Sequence, residues 1–223
     1  MDAKERGLRE DIIAQCHWMN ATGLNQGTSG NISARCGDHM LITPSATPYE
    51  IMTPGMIAVM PLHGVRGEWN GPLKPSTEWP FHLDIMRARA DVGAIIHTHS
   101  PFATVLAILR RNIPACHYMV AAFGGNDVRC ADFATFGTDA LSAHVLVALE
   151  GRNSCLLANH GMIATGPDLD KAMWRALELE TLAKQYYHTL LLGGPVVLTD
   201  EQMAEAHTAF ISYGLQNGPQ SQT

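Results

Sequence analysis

The stretch Asp91-Val-Gly-Ala-Ile-Ile-His-Thr-His-Ser-Pro101 decides the fold. Residues 92–96 form a short apolar run with β-branched side chains, too brief for a helix, and predict a buried strand. The run ends in His97-Thr98-His99. Ser100-Pro101 can then cap and start a helix through about Leu109, since the donor a proline lacks is not needed at the first helical position. A buried strand passing straight into a helix points to helices layered on a sheet.

The rest of the chain has the same grammar. Residues 154–158 are a second apolar run, ending in Asn159-His160-Gly161, and 162–164 continue it. Upstream, Leu8, Ile12, Cys16 and Met19 recur at helical spacing over 4–22, and Gly23 stops the segment. Residues 32–34 and 40–43 read as short strands, 56–60 as a third, and 64–71 as a turn region. A helix is expected from Pro75-Ser76-Thr77-Glu78, capped by Ser76 or Thr77, with Phe81, Ile85 and Met86 as its apolar stripe. Strands near 116–119 and 127–130, a helix over 138–149, and helices over 168–192 and 200–213 complete the reading. The pattern favours a three-layer α/β or α/β/α domain over an all-helical one. One domain over 1–215 is expected, with 216–223 a disordered tail, because no repeat or long linker divides the chain.

Composition narrows the function. Of 223 residues, 46% are hydrophobic and 16% charged, enough apolar material to bury a sizeable core. Fifteen Lys and Arg against 21 Asp and Glu leave a net charge of -6, with no basic surplus to meet a nucleic-acid backbone or an anionic membrane. Mixed charges over 1–10 argue against a signal peptide, and no apolar run is long enough to span a bilayer. Five scattered cysteines without a Cys-x-x-Cys pair read as reduced thiols, which places the protein in the cytoplasm. Eleven histidines suggest metal or proton chemistry.

Three of them stand out. His97 and His99, two apart at a strand end, share one face at a distance suited to a single metal ion. His160 can supply a third ligand from the Asn-His-Gly turn, where Gly161 lets the chain approach closely. Three neutral imidazoles with an open position suit zinc, with manganese or cobalt as substitutes. Glu78 reads either as a helix-start carboxylate or as a base beside an anion held by the hydroxyls and amides of Lys74-Pro-Ser-Thr-Glu-Trp79. The loop Gly27-Thr-Ser-Gly-Asn31 can present amides and hydroxyls to a phosphate; lacking nucleotide-loop signatures, it fits a phosphorylated metabolite better than a nucleotide.

In this order, Gly-Leu-Asn-Gln-Gly-Thr-Ser-Gly-Asn (23–31), Leu-Ile-Thr-Pro (41–44), Pro-Tyr-Glu (48–50), Pro-Ser-Thr-Glu-Trp (75–79), His-Thr-His (97–99), His-Tyr-Met (117–119), Ala-Thr-Phe-Gly-Thr (134–138), the Asn-His-Gly centred on His160 and Tyr-Gly-Leu (213–215) resemble the class II aldolase/adducin family over about residues 8–215. The resemblance implies a three-layer fold with a mainly antiparallel central sheet flanked by helices. It implies a homotetramer with active sites between subunits, and zinc on His97, His99 and His160, with Glu78 touching the metal in the empty site and acting as acid/base. A phosphate pocket of Gly30, Asn31, Ser45, Ala46, Ser76 and Thr77 follows by the same route. So does a catalytic Tyr118 reaching in from the neighbour, with Phe136 and Tyr213 bordering the aldehyde end.

The implied reaction is metal-dependent retro-aldol cleavage of a ketose 1-phosphate to dihydroxyacetone phosphate and an aldehyde. L-Fuculose 1-phosphate and 5-deoxy- or 5-methylthioribulose 1-phosphate are the candidate substrates. Two departures bear on the substrate's tail: Ser45-Ala46 where the family aldolase has Thr-Gly, and Asn159-His160-Gly where it has His-His-Gly. The Asn-His-Gly form is shared with sugar-phosphate 4-epimerases and methylthioribulose-1-phosphate dehydratases of the superfamily, which are the alternative reading. An adducin-like scaffold would have no need of the three histidines and Glu78.

Overall fold

The computed structural model describes residues 1–212. Asp2 accepts a hydrogen bond from the Glu5 N–H at 2.8 Å and starts α1 (Ala3–Thr22), whose Ile12, Cys16 and Met19 are buried at helical spacing; Gly23, at φ 76°, ends it in the left-handed conformation. The chain then runs through β1 (Asn31–Cys36), β2 (His39–Ile42), β3 (Ala58–Pro61), α2 (Trp79–Ala88), β4 (Ala94–Thr98) and α3 (Pro101–Ile108). Two short strands follow, β5 (Ile113–Pro114) and β6 (Asp127–Val128), with a 3₁₀ turn at Tyr118–Phe123 between them. Next come β7 (Cys130–Ala131), α4 (Asp139–Ala148), β8 (Ser154–Leu157), β9 (Gly161–Gly166), α5 (Leu169–Leu191) and α6 (Asp200–Ser212).

Seven strands form one sheet in the order β3-β2-β1-β4-β9-β8-β7, antiparallel between neighbours except for the parallel pair β7 and β8. The two-residue side-chain period sorts the core into two layers. Ile32, Ala34, Leu41, Ala94, Ile96, Met162 and Ala164 pack with α1, α3 and α5, while Met40, Ile42, Ile95 and Ile163 pack with α2 and α4. This is the three-layer α/β architecture expected, and because both faces are covered the central strands β4, β8 and β9 are buried along their whole length.

Several local expectations change. Residues 162–164 do not continue the 154–158 run: the chain reverses at Asn159-His160, and β8 and β9 pair as a hairpin. Asn159 takes φ 55° there, a conformation asparagine tolerates because its short amide can bond locally. The strand expected at 116–119 is a 3₁₀ turn instead, the pairing having moved to Ile113–Pro114 against Asp127–Val128. Ser100 occupies the N-cap position of α3 without capping it. Glu180 of α5 does so, accepting from the Phe102 and Ala103 N–H groups at 2.8 Å each. Among the described residues, no helix is long and apolar enough to cross a membrane.

Candidate active site

Strand register gathers the chemistry at one end of the sheet. His97 sits opposite Asn31 on one side and Ile163 on the other, so the end of β4 meets the start of β1 and the start of β9. His160 lies in the turn just before β9. The three rings of His97, His99 and His160 stand 4.8–5.0 Å apart, centroid to centroid, at steep mutual angles. One ligand atom from each falls within 4.8 Å of the others. Gly161 is required for this approach, since a Cβ there would lie 2.5 Å from the Thr98 carbonyl oxygen and 2.8 Å from the His99 ring.

Hydrogen bonding fixes the ligand atoms. The Met162 carbonyl lies 2.9 Å from His97 Nδ1 and can only accept, so Nδ1 carries the proton and Nε2 turns its lone pair into the cluster. That Nε2 is 3.1 Å from His99 Nε2, close to the ~3.3 Å expected of two nitrogens on one tetrahedral ion. Burial pushes His99 down to about 4, helped by the neighbouring His97 and His160 and only partly opposed by Glu78, so its imidazole is neutral and able to ligate.

Glu78 closes the cluster. It precedes α2 at the N-cap position, yet its side chain makes no cap hydrogen bond. The carboxylate is turned to the histidines, with Oε2 3.0 Å from His97 Nε2 and Oε1 3.1 Å from His160 Nε2. The expected cap on Ser76 or Thr77 is corrected accordingly: α2 starts at Trp79, and Ser76 Oγ lies 3.3 Å from the Glu78 N–H. Glu78 Oε1 is buried without a conventional hydrogen-bond partner. A lone-pair nitrogen of His97 facing a carboxylate, two further imidazoles and an orphaned carboxylate oxygen make a donor set that a divalent cation satisfies.

The segments expected to hold phosphate are tied to one another. The Ser45 N–H donates to the Lys74 carbonyl and the Ser76 N–H to the Thr43 carbonyl, both at 2.9 Å, which lays 43–46 beside 74–77. Tyr49 O–H donates to the Gly30 carbonyl at 2.6 Å and draws in the third segment. Gly30 is tightly enclosed, a Cβ there lying 2.7 Å from both Asn25 Oδ1 and the His97 carbonyl. Ser76 and Asn31 are buried, Ser45 is half-buried, and Thr77 and Ala46 are exposed, the last at φ 50°.

Two other expected residues are exposed in the single chain. Tyr118 is 55% exposed and its ring meets His117 and Phe210; Phe136 is 61% exposed in the loop before α4. Tyr213 lies outside the described residues. Asn159, one of the two departures noted above, turns its Oδ1 to Arg110 Nε at 2.9 Å.

Sequence reasoning missed Ser33 and His82. Both are fully buried behind Glu78, with Ser33 Oγ 2.7 Å from His82 Nδ1 and Asn31 Oδ1 2.5 Å from His82 Nε2. The available signal was spacing: Asn31 and Ser33 two apart on a strand, Glu78 and His82 four apart at a helix start, each pair on one face.

This fold and site define a class II aldolase, an enzyme type that works with a metal ion, and the chain carries a histidine triad able to hold one. It belongs to the Class II Aldolase and Adducin N-terminal domain family, matching it over residues 10–187. A 5-methylthioribulose-1-phosphate/5-deoxyribulose-1-phosphate aldolase of Rhodospirillum rubrum is 49% identical over 214 residues, 96% of each chain. The L-fuculose phosphate aldolase of Escherichia coli (strain K12) is 47% identical over 94% of this chain and 96% of its own. The solved structure of an L-fuculose 1-phosphate aldolase matches with a TM-score of 0.88 at 38% identity, covering 95% of this chain and 98% of that one.

Proposed function

We propose that this chain cleaves a ketose 1-phosphate, L-fuculose 1-phosphate or a 5-deoxy- or 5-methylthioribulose 1-phosphate, to dihydroxyacetone phosphate and an aldehyde. The observation that carries the reading is the Glu78 carboxylate set against the Nε2 atoms of His97 and His160. The triad would hold zinc, with manganese or cobalt as substitutes, and Glu78 would touch the ion until substrate displaces it. When bound, the ion supplies a positive charge that polarises the ketose carbonyl and stabilises the negative charge left as the C3–C4 bond breaks.

The chain's own residues do the rest. Gly30, Asn31, Ser45, Ala46, Ser76 and Thr77 receive the phosphate with amides and hydroxyls. Tyr118 of a neighbouring subunit, as phenolate, takes the C4 hydroxyl proton and later returns it to solvent; the C3–C4 electron pair moves onto the three-carbon fragment; and Glu78, which takes up a proton from solvent once substrate has displaced it, delivers that proton to C3. Phe136 and Tyr213 border the departing aldehyde. Ile108, Leu109, Tyr118, Phe133 and Phe136 are exposed in the single chain, where further copies in a homotetramer would cover them. Five free cysteines suit the cytoplasm.

The test offers purified protein a panel of ketose 1-phosphates together with ribulose 5-phosphate, and reads dihydroxyacetone phosphate with a coupled dehydrogenase before and after chelation. Release that stops with chelator and returns with zinc is the expected result. Epimerisation of ribulose 5-phosphate with no triose phosphate from any ketose 1-phosphate would put the enzyme in the epimerase branch.

A further inference from the structure

Behind Glu78 runs a buried chain of hydrogen bonds whose far end the reaction above does not use. Glu78 Oε2 accepts from Asn31 Nδ2 at 2.8 Å, Asn31 Oδ1 lies 2.5 Å from His82 Nε2, and His82 Nδ1 lies 2.7 Å from Ser33 Oγ. The carboxylate end sets every direction. An ionised carboxylate only accepts, so Asn31 must turn its NH2 toward Glu78 and its oxygen toward His82. The His82 proton therefore sits on Nε2, and Nδ1 accepts from the Ser33 hydroxyl.

The ring itself is held still. His82 is fully buried and stacks on Phe81 with centroids 4.7 Å apart and planes 24° apart. Burial holds the imidazole neutral, pushing it down to about 3, with the nearby His97 adding to the effect and Glu78 partly opposing it. An apolar side chain would fill this interior position without the cost of desolvating two ring nitrogens. The gain from a histidine is orientation: strand β1 presents Asn31 and Ser33 on one face, helix α2 carries His82 one turn after Glu78, and His82 bonds both strand residues at once.

We propose that His82 is a positioning residue, its Nε2–H locking the Asn31 amide in the orientation that donates to Glu78 and so holding that carboxylate in place for proton transfer. The inference rests on the part given to Glu78 above. Without the His82 donor, Asn31 Oδ1 is a buried acceptor with no partner, free to seek another rotamer and release Glu78 Oε2.

Two readouts test it. In kinetics, His82→Leu keeps the volume and removes the donor: kcat for the best ketose 1-phosphate should fall about ten- to a hundredfold, with KM within about twofold and metal content unchanged. His82→Gln, whose amide NH2 reaches the place of Nε2, should recover most of kcat. A folded, metal-loaded His82→Leu with unchanged kcat overturns the proposal. So does a pair of variants that lose folded yield and metal equally, with no rescue by glutamine. The second readout needs no substrate: nitrogen NMR of histidine-labelled protein should show His82 neutral with its proton on Nε2, and a proton on Nδ1 or a cationic ring overturns the relay. Were the wild type to release no triose phosphate from any ketose 1-phosphate, the aldolase reading would fall, while the tautomer would still decide the relay.

Discussion

Ser76 serves two purposes at once. Its N–H joins 74–76 to 43–45, and its hydroxyl lies 3.3 Å from the Glu78 N–H, on the short segment proposed to receive phosphate. A carboxylate there would meet the phosphate charge at close range, so Ser76→Asp should raise the Michaelis constant for the ketose 1-phosphate by about tenfold or more while metal content stays the same. Steady-state kinetics with metal analysis checks this, and an unchanged Michaelis constant would remove Ser76 from the phosphate site. At this scale the sequence was uneven in what it disclosed. His97-Thr-His99 was legible because a period of two on a strand leaves little choice of face. Glu78 was readable two ways, as helix-start charge or as base, and only its turn away from the helix amides separates them. His82 was hidden, because a histidine between Phe81 and Leu83 looks like one more residue of a buried stripe.

Among the elements, α3 shows how the triad is supported from a distance. The helix starts two residues after His99, and its first free amides are bound by Glu180 from α5 instead of by Ser100. A charged acceptor shared by two helix-start amides stabilises by about 1–2 kcal/mol, so Glu180→Ala should lower unfolding free energy by that amount in a urea titration. No measurable change would mean that water caps α3 equally well. Gly161→Ala should be harsher, because the added methyl would sit 2.5 Å from the Thr98 carbonyl and force β9 away from β4. Folded protein with impaired metal binding is the expected result, read by elemental analysis against wild type, and full occupancy would contradict it. Helix positions followed from the 3.6-residue apolar period and their stops, as with α1 ending at Gly23. The hairpin of β8 and β9 was only half legible: Asn-His-Gly reads as a turn, but nothing local says that the run after it pairs back on the run before it.

For the whole molecule, register is the device that makes a site. Asn31 and His97 come from strands, and His160 from the turn into a third, all far apart in sequence, and the order β1-β4-β9 sets them side by side at one sheet end. Layering was legible because buried strands alternate with amphipathic helices, whereas strand order depends on long-range pairing that leaves no local trace. If Tyr118 serves a neighbour's site, mixing inactive Tyr118→Phe and Glu78→Gln proteins should restore part of the turnover in assemblies that exchange subunits, since some interfaces then pair an intact Glu78 with an intact Tyr118. Exchange proven by mass with no recovered activity would count against a shared site. The proposed reaction turns on Glu78 moving a proton at a metal held by His97, His99 and His160, and Glu78→Gln, assayed for metal and triose phosphate release on the same sample, probes that step. A folded protein that keeps its ion and loses turnover by about a hundredfold or more is expected; a metal-loaded Glu78→Gln that cleaves ketose 1-phosphate at nearly the wild-type rate would overturn the assignment.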